Sequence, residues 1–381
     1  MRILHVIANL LPENGGPSLV ASETCRYLAA DGHDVSLFAG DHGEPDRTPH
    51  DIPGVDLRIF KTTWRRWAWS PQMAAALSEA SRNYDVVHIH SVFLHHTLAA
   101  ANAARKASVP YVIRPHGSFD PWLRKRHRVQ KWLYHEMLER RALDGAAAIH
   151  YTTKAEMTLA HEPMRIKAPG VVLSPGIDTA PFSAMPPGDL FRAAFDIGTD
   201  VRVVLFLSRL HPKKGIDVLL RAFDLARKRV GGLHLVLAGP EAPGYGKVVR
   251  QLIADAGLER DVTLTGMVHG AMKLAAFSSA SVFVLPSYTE NFGFALVEAM
   301  AAGVPVILSE HVNICDEILA NDAGLVTLAN PVAVAEAIAC SIEDSQSACR
   351  RASRAKQLVA TSFAWPASIA RLTTFYRSLV H

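Results

Sequence analysis

A chain of 381 residues is too long for one small core, so two domains of ~150 residues each are the natural expectation. A net charge of +4, with 20% charged and 49% hydrophobic residues, is an ordinary globular balance and too mild to argue for nucleic acid. Cys25, Cys315, Cys340 and Cys349 lack metal-ligand spacing and fit reduced thiols of a cytoplasmic protein, and no apolar run reaches the ~18 residues of a membrane span.

The first half alternates strand and helix. Ile3–Ala8 reads as a strand rather than a signal core, because one positive charge precedes it and no small-residue cleavage site follows. Asn14-Gly15-Gly16-Pro17-Ser18 then forms a tight turn into a helix over Ser18–Ala30, with Pro17 suited to a first helical position. It is not the Gly-x-Gly-x-x-Gly of a dinucleotide-binding turn. Further strands follow at Val35–Ala39, Val86–Ile89, Tyr111–Ile113 and Ala146–Ile149. This order predicts an α/β protein with a doubly wound parallel sheet. His88 and His90 alternate on one strand and point to one face; no third ligand of convincing spacing accompanies them, so no zinc is expected. His116, in Arg114-Pro-His-Gly117, stands at a strand's carboxyl end. Two stretches mix basic and aromatic residues, Lys61–Trp69 and Pro121–Arg128, the second leading into a helix with Val129, Trp132, Leu133 and Met137 on one face. Such a mixture suits an anionic membrane surface or a lipid diphosphate, or simply a solvated helix face. No recognition motif for nucleic acid accompanies it.

Ser174–Gly188, with its prolines and glycines, is the expected interdomain linker. The alternation then restarts with strands at Val201–Leu207, Leu233–Ala238, Val262–Thr265, Val282–Leu285 and Val304–Leu308, and a helix from Ile216 to about Lys228. A last amphipathic helix spans 363–380. After the first of these strands, Ser208-Arg209-Leu-His-Pro-Lys213-Lys214-Gly215 places a guanidinium fork and an ammonium five residues apart on one strand-to-helix turn. That pair can clamp a diphosphate. Glycines at strand ends recur in Gly239-Pro240 and Gly266-Met267-Val268. In Leu285-Pro-Ser-Tyr-Thr-Glu290-Asn291-Phe292-Gly293-Phe294-Ala-Leu-Val-Glu298, Glu290 lies in the loop leaving a buried strand and Glu298 about one turn into the next helix. Carboxylates accept from sugar hydroxyls and helix-start amides hold phosphate, so this loop suits a ligand bearing both. Glu310 follows the next strand.

The Glu290–Glu298 loop and the Arg209…Lys214-Gly215 motif resemble those of retaining glycosyltransferases of GT-B fold, the large bacterial "group 1" family. The resemblance covers the whole chain and is densest over 205–310. It implies two Rossmann-like domains facing across a cleft: an acceptor-side domain over 1–176, a nucleotide-sugar domain over 177–362, and a helix over 363–381 returning to the first. It puts Glu290 on the donor sugar, Glu298 on the donor ribose, and the amides of Asn291, Phe292, Gly293 and Phe294 on sugar and phosphate. Arg209 and Lys214 fall on the donor phosphates, His116 beside the donor sugar, Gly239 and Val268 along the base and phosphate pocket, and Gly15 and Gly16 in the diglycine loop at the cleft. Many relatives carry glutamate where Ser18 stands.

The resemblance implies a metal-independent, retaining transfer of a sugar from a UDP- or GDP-sugar co-substrate to an acceptor hydroxyl, with no other cofactor. The two basic-aromatic stretches add a lipid-linked acceptor at the inner face of the cytoplasmic membrane, as in surface polysaccharide assembly. The alternatives are a nucleotide-sugar 2-epimerase, an inverting transferase, or a non-catalytic two-domain sugar-binding protein, which would lack the Arg209/Lys214 clamp.

Overall fold

The computed structural model describes residues 1–11, 16–120 and 134–380. The turn residues Asn14 and Gly15, and the basic stretch Pro121–Arg128 with Val129, Trp132 and Leu133, lie outside the described residues. The chain divides into two units, Met1–Gly176 with Trp365–His381, and Ile177–Ala364.

The first unit is built on a seven-stranded sheet of β1 (Arg2–Ile7), β2 (Asp34–Gly40), β3 (Val55–Phe60), β4 (Val86–His90), β5 (Tyr111–Arg114), β6 (Ala148–Tyr151) and β7 (Gly170–Val172), in the order β3-β2-β1-β4-β5-β6-β7. Every pairing is parallel. The central strands are buried along nearly their whole length, as strands covered by helices on both faces must be. The order reverses between β1 and β4, so this sheet has its topological switch point there. The final helix, Trp365–Val380, packs within this unit. Trp365 stacks on Tyr27 at 5.2 Å, and Ile369, Leu372 and Tyr376 join the core formed by β1 and the helix Gly16–Ala30. Gly176 lies so close to Trp365 that a Cβ there would sit 2.5 Å from the tryptophan Cα.

The second unit repeats the plan with six strands: β8 (Arg202–Leu207), β9 (Leu233–Ala238), β10 (Val262–Gly266), β11 (Ala280–Leu285), β12 (Val306–Ser309) and β13 (Leu325–Thr327), in the order β10-β9-β8-β11-β12-β13. Again all pairings are parallel. The switch point lies between β8 and β11.

Three strands had no sequence expectation: β3, β7 and β13. They are edge strands, and β7 and β13 have three residues each, half-exposed, so neither an apolar run nor a long alternation marks them. Two expected strands start two residues later than read, and β8 starts one later, at Arg202. Val304 gives its amide to Ala299 to close the preceding helix, and Pro305 has no N–H, so β12 begins at Val306. Likewise Ala146 donates to Leu143 in the turn after a helix, and β6 begins at Ala148.

Candidate active site

Both second-unit motifs leave the carboxyl ends of β8 and β11, the two strands that flank the switch point. In open α/β sheets that crevice is where ligands bind. The β8 loop turns through a short 3₁₀ segment, Pro212–Lys214, which His211 caps by accepting from the Lys213 amide at 3.2 Å. Gly215 follows with φ +67° and caps the helix Ile216–Val230. A side chain there would run into the carbonyl oxygen of Pro286 in the β11 loop, so only glycine lets the two loops touch. The Tyr288 amide completes that contact by donating to the Lys213 carbonyl at 2.8 Å.

Across this contact Lys214 and Glu290 form an ion pair, with side chains only 10% and 13% exposed. Burial works to raise the Glu290 carboxyl, but the Lys214 ammonium, with Lys213 behind it, outweighs that and holds it below its ordinary value. Glu290 is also fixed through its backbone: its amide donates to the His311 carbonyl at 3.1 Å and its carbonyl accepts from Asn313 at 2.9 Å. Asn313 further reaches Asn291, Nδ2 to Oδ1 at 3.3 Å. Arg209 is exposed on the same β8 loop. Gly239, at the end of neighbouring β9, has φ +140° and would press a side chain into the Ser208 carbonyl, so it lets β9 pass close beneath the Arg209 turn.

Gly293, with φ +79°, begins the helix Phe294–Ala301. The first amides of that helix have no carbonyl one turn earlier, which leaves them available to an anion. Glu298 is half-buried and accepts from Lys273 Nζ at 2.8 Å, a partner from the helix Gly270–Ser279 that no sequence motif marked. Phe292 is buried, packed edge-on against Phe294 and Phe363, so its side chain belongs to the core and only its backbone is left for a ligand. Val268 is half-buried against the same core, two residues after β10. Glu310 lies exposed after β12, beside His311. Tyr288, also unmarked in the sequence, donates to Asp217 at 2.8 Å.

In the first unit, Gly16 starts the helix Gly16–Ala30 after β1, and Ser18 is buried with Oγ donating to the Asn9 carbonyl at 3.3 Å. His116 follows β5 with φ +54°, and its Nε2 lies 2.9 Å from His90 Nδ1. Behind it Arg114 is buried; burial lowers its pKa to about 10 although Glu156 works the other way. Glu156 itself accepts from the amides of Gly117 and Thr152 at 2.6 and 2.7 Å, which fixes the turn that carries His116. His88 and His90 do share a face, stacked 4.7 Å apart, but both are wholly buried. The premise for expecting no zinc fails: His5 on adjacent β1 is the register partner of His88, and ring nitrogens of His5, His88 and His90 lie within 4.8 Å of one another.

Two doubly wound α/β units, each with charged or imidazole side chains at the carboxyl ends of strands beside its switch point, define the GT-B class of fold. Solved structures agree. The HepE protein of Anabaena in complex with UDP and glucose matches 99% of this chain and 100% of its own, at TM-score 0.77 and 20% identity. Residues 189–358 match the family described as "Glycosyl transferases group 1", and residues 15–176 the family described as "Glycosyl transferase 4-like domain". The chain belongs to the group 1 glycosyltransferases. It is 34% identical over 214 residues to the GDP-mannose-dependent alpha-(1-6)-phosphatidylinositol monomannoside mannosyltransferase of Mycobacterium tuberculosis, a match spanning 54% of this chain and 55% of that protein. It is 27% identical over 319 residues to the GDP-mannose:cellobiosyl-diphosphopolyprenol alpha-mannosyltransferase of Xanthomonas oryzae, spanning 81% and 79%.

Proposed function

We propose that this protein transfers a hexose from a nucleoside diphosphate sugar to an acceptor hydroxyl, with retention and without a divalent cation. The observation that carries this is the Lys214–Glu290 pair, with Arg209 exposed on the same loop as Lys214, on loops from the two strands that flank the β8/β11 switch point. As the anomeric carbon–oxygen bond breaks, charge builds on the departing diphosphate. Arg209, Lys214 and the amides at Gly293 and Phe294 are preorganised to receive it, which is the work a metal would otherwise do. Glu290 holds the sugar hydroxyls, and Glu298, oriented by Lys273, holds the ribose. Gly239 and Val268 border the nucleotide. The new bond forms between acceptor oxygen and anomeric carbon, and the acceptor proton passes to the leaving phosphate oxygen on the same face.

The two curated relatives carry GDP-mannose in their names, which supports a guanosine donor ahead of a uridine one. Their names also carry lipid acceptors, which supports a lipid-linked acceptor here. The Lys61–Trp69 segment forms a tight turn bridged between Trp64 and Trp69, and Lys61, Trp64, Arg65, Arg66 and Trp69 are all exposed on it. Such a tip suits transient attachment to an anionic membrane. Among the described residues no helix is long and apolar enough to cross one.

The test is a thermal-shift screen against GDP- and UDP-sugars, followed by transfer assays with the donor that stabilises, in excess chelator and with product anomers resolved by NMR. A donor that binds but is only epimerised, or a product of inverted configuration, would sink the reading. So would a strict need for magnesium or manganese.

A further inference from the structure

Five histidine rings and one tyrosine form a hydrogen-bonded chain through the core of the first unit. His150 Nε2 lies 2.7 Å from the Leu173 carbonyl and its Nδ1 3.3 Å from His88 Nε2. His88 Nδ1 lies 2.5 Å from Tyr376 Oη, which comes from the C-terminal helix. Tyr376 Oη is 3.5 Å from His5 Nε2, the longest step. His5 Nδ1 is 2.8 Å from His90 Nε2, and His90 Nδ1 is 2.9 Å from His116 Nε2. All members but His116 are at most 2% exposed.

A neutral imidazole has one donor and one acceptor nitrogen, and a carbonyl only accepts. Those two facts orient the whole chain. His150 must donate from Nε2 to Leu173, so its Nδ1 accepts from His88 Nε2–H. His88 Nδ1 then accepts the Tyr376 hydroxyl proton, and the Tyr376 oxygen accepts from His5 Nε2–H. His5 Nδ1 accepts from His90, and His90 Nδ1 accepts from His116 Nε2–H. One ring nitrogen is left over at the strand edge, His116 Nδ1, and it carries a lone pair.

We propose that this chain is a positioning device: the Leu173 carbonyl, acting through Tyr376, locks His116 in the Nε2–H tautomer, so that its Nδ1 accepts from a sugar hydroxyl and cannot donate to a phosphate. The hydroxyl assignment rests on the function proposed above; the tautomer does not. The rings are suited to stay neutral. Burial, followed by the Arg114 charge, lowers His5 to about 3 and holds His116 well below its ordinary value, and burial first also depresses His88, His90 and His150. The hydrogen bonds also account for the clustering of His5, His88 and His90 without a metal, since both ring nitrogens of each already have a partner.

The experiment is nitrogen NMR of the full chain labelled at histidine, with each ring assigned by a single His→Gln variant. In the unsubstituted protein all five rings should be neutral Nε2–H tautomers. Tyr376→Phe cuts the chain at one point. His5, His90 and His116 should then lose their fixed tautomer, while His88 and His150, still tied to Leu173, keep theirs. Loose packing would disturb all five alike. An Nδ1–H proton on His116 in the unsubstituted protein, an unchanged His116 in Tyr376→Phe, or uptake of one zinc ion by His5, His88 and His90 would each overturn the proposal. In transfer assays Tyr376→Phe should raise a KM by about 10-fold, the scale of one neutral hydrogen bond, with free nucleoside diphosphate bound as before. A rise for the sugar nucleotide assigns the hydroxyl to the donor, and a rise for the acceptor assigns it there. Weaker binding of the free diphosphate would mean that His116 serves the phosphate, and would overturn the hydroxyl assignment while leaving the transferase reading intact.

Discussion

Glu290→Gln separates structure from chemistry at one position. The substitution removes a carboxylate whose partner, Lys214, is 10% exposed, so the ammonium cannot turn to bulk water without disturbing the loop. Breaking a buried pair from one side costs about 3–5 kcal/mol. Glutamine keeps a carbonyl that can accept from Lys214, which places the cost near 3 kcal/mol. For a unit of this size each kcal/mol lowers Tm by roughly 2–4 °C, so a loss of about 6–12 °C is expected. The loss must also depend on pH. The Glu290 carboxyl is held below 4.5 in the folded state, mainly by Lys214 acting against burial. Its stabilisation is therefore complete above 4.5 and disappears as pH falls through the folded-state pKa. Scanning calorimetry of both proteins at pH 7, and at the lowest pH where both still fold, should show the gap in Tm narrowing on the acid side. The variant should still bind nucleoside diphosphate, because Arg209 and the helix-start amides are untouched, yet lose most transfer. A gap that stays constant from pH 7 to acid would refute the claim that a charged Glu290 stabilises Lys214.

Arg209→Ala should cut kcat by ~10²-fold or more with little change in Tm, the scale for removing a preorganised charge stabiliser; unchanged turnover in steady-state assays would exclude Arg209 from the diphosphate. Glu298→Gln should raise the dissociation constant of the free nucleotide in calorimetric titrations, because it removes the negative charge that orients Lys273 and leaves only a weaker neutral acceptor at the proposed ribose position. Gly215→Ala should destabilise by about 1–3 kcal/mol from its positive φ alone, and by more from the collision with the Pro286 carbonyl; a variant with wild-type Tm would show that the two loops are not in contact. Replacing Lys61 and Arg66 with serine should weaken binding to anionic vesicles by about 30-fold at low salt, at ~1 kcal/mol per charge, and sedimentation with the unsubstituted protein should fall as salt rises.

Most of the second unit was legible because its signals are local. A parallel strand buried on both faces reads as an unbroken apolar run, and a turn at its end reads as glycine, proline and charge, so β8 and β11 and their loops could be placed from composition alone. What remained hidden was tertiary. Lys273 sits on an ordinary helix, and nothing within that helix says that Glu298 lies 2.8 Å away. Phe292 looks like part of a ligand loop until Phe363, some seventy residues later, is seen packed against it.

The histidines make the same distinction sharper. The two-residue period of His88 and His90 says that they share a face; it cannot say that the strand order places β1 beside β4 and so lays His5 against them. Had the sheet not reversed at that point, His5 would lie elsewhere and the pair would be two isolated core imidazoles. The reversal that opens a crevice at a sheet's carboxyl edge also brings strands from distant parts of the sequence side by side beneath it. A polar chain can be threaded there, and each link fixes the proton of the next. Tyr376 belongs to that chain although it lies hundreds of residues from His5, because the last helix folds onto the first unit. The residue that sets the protonation of His116 is therefore visible only in the folded protein.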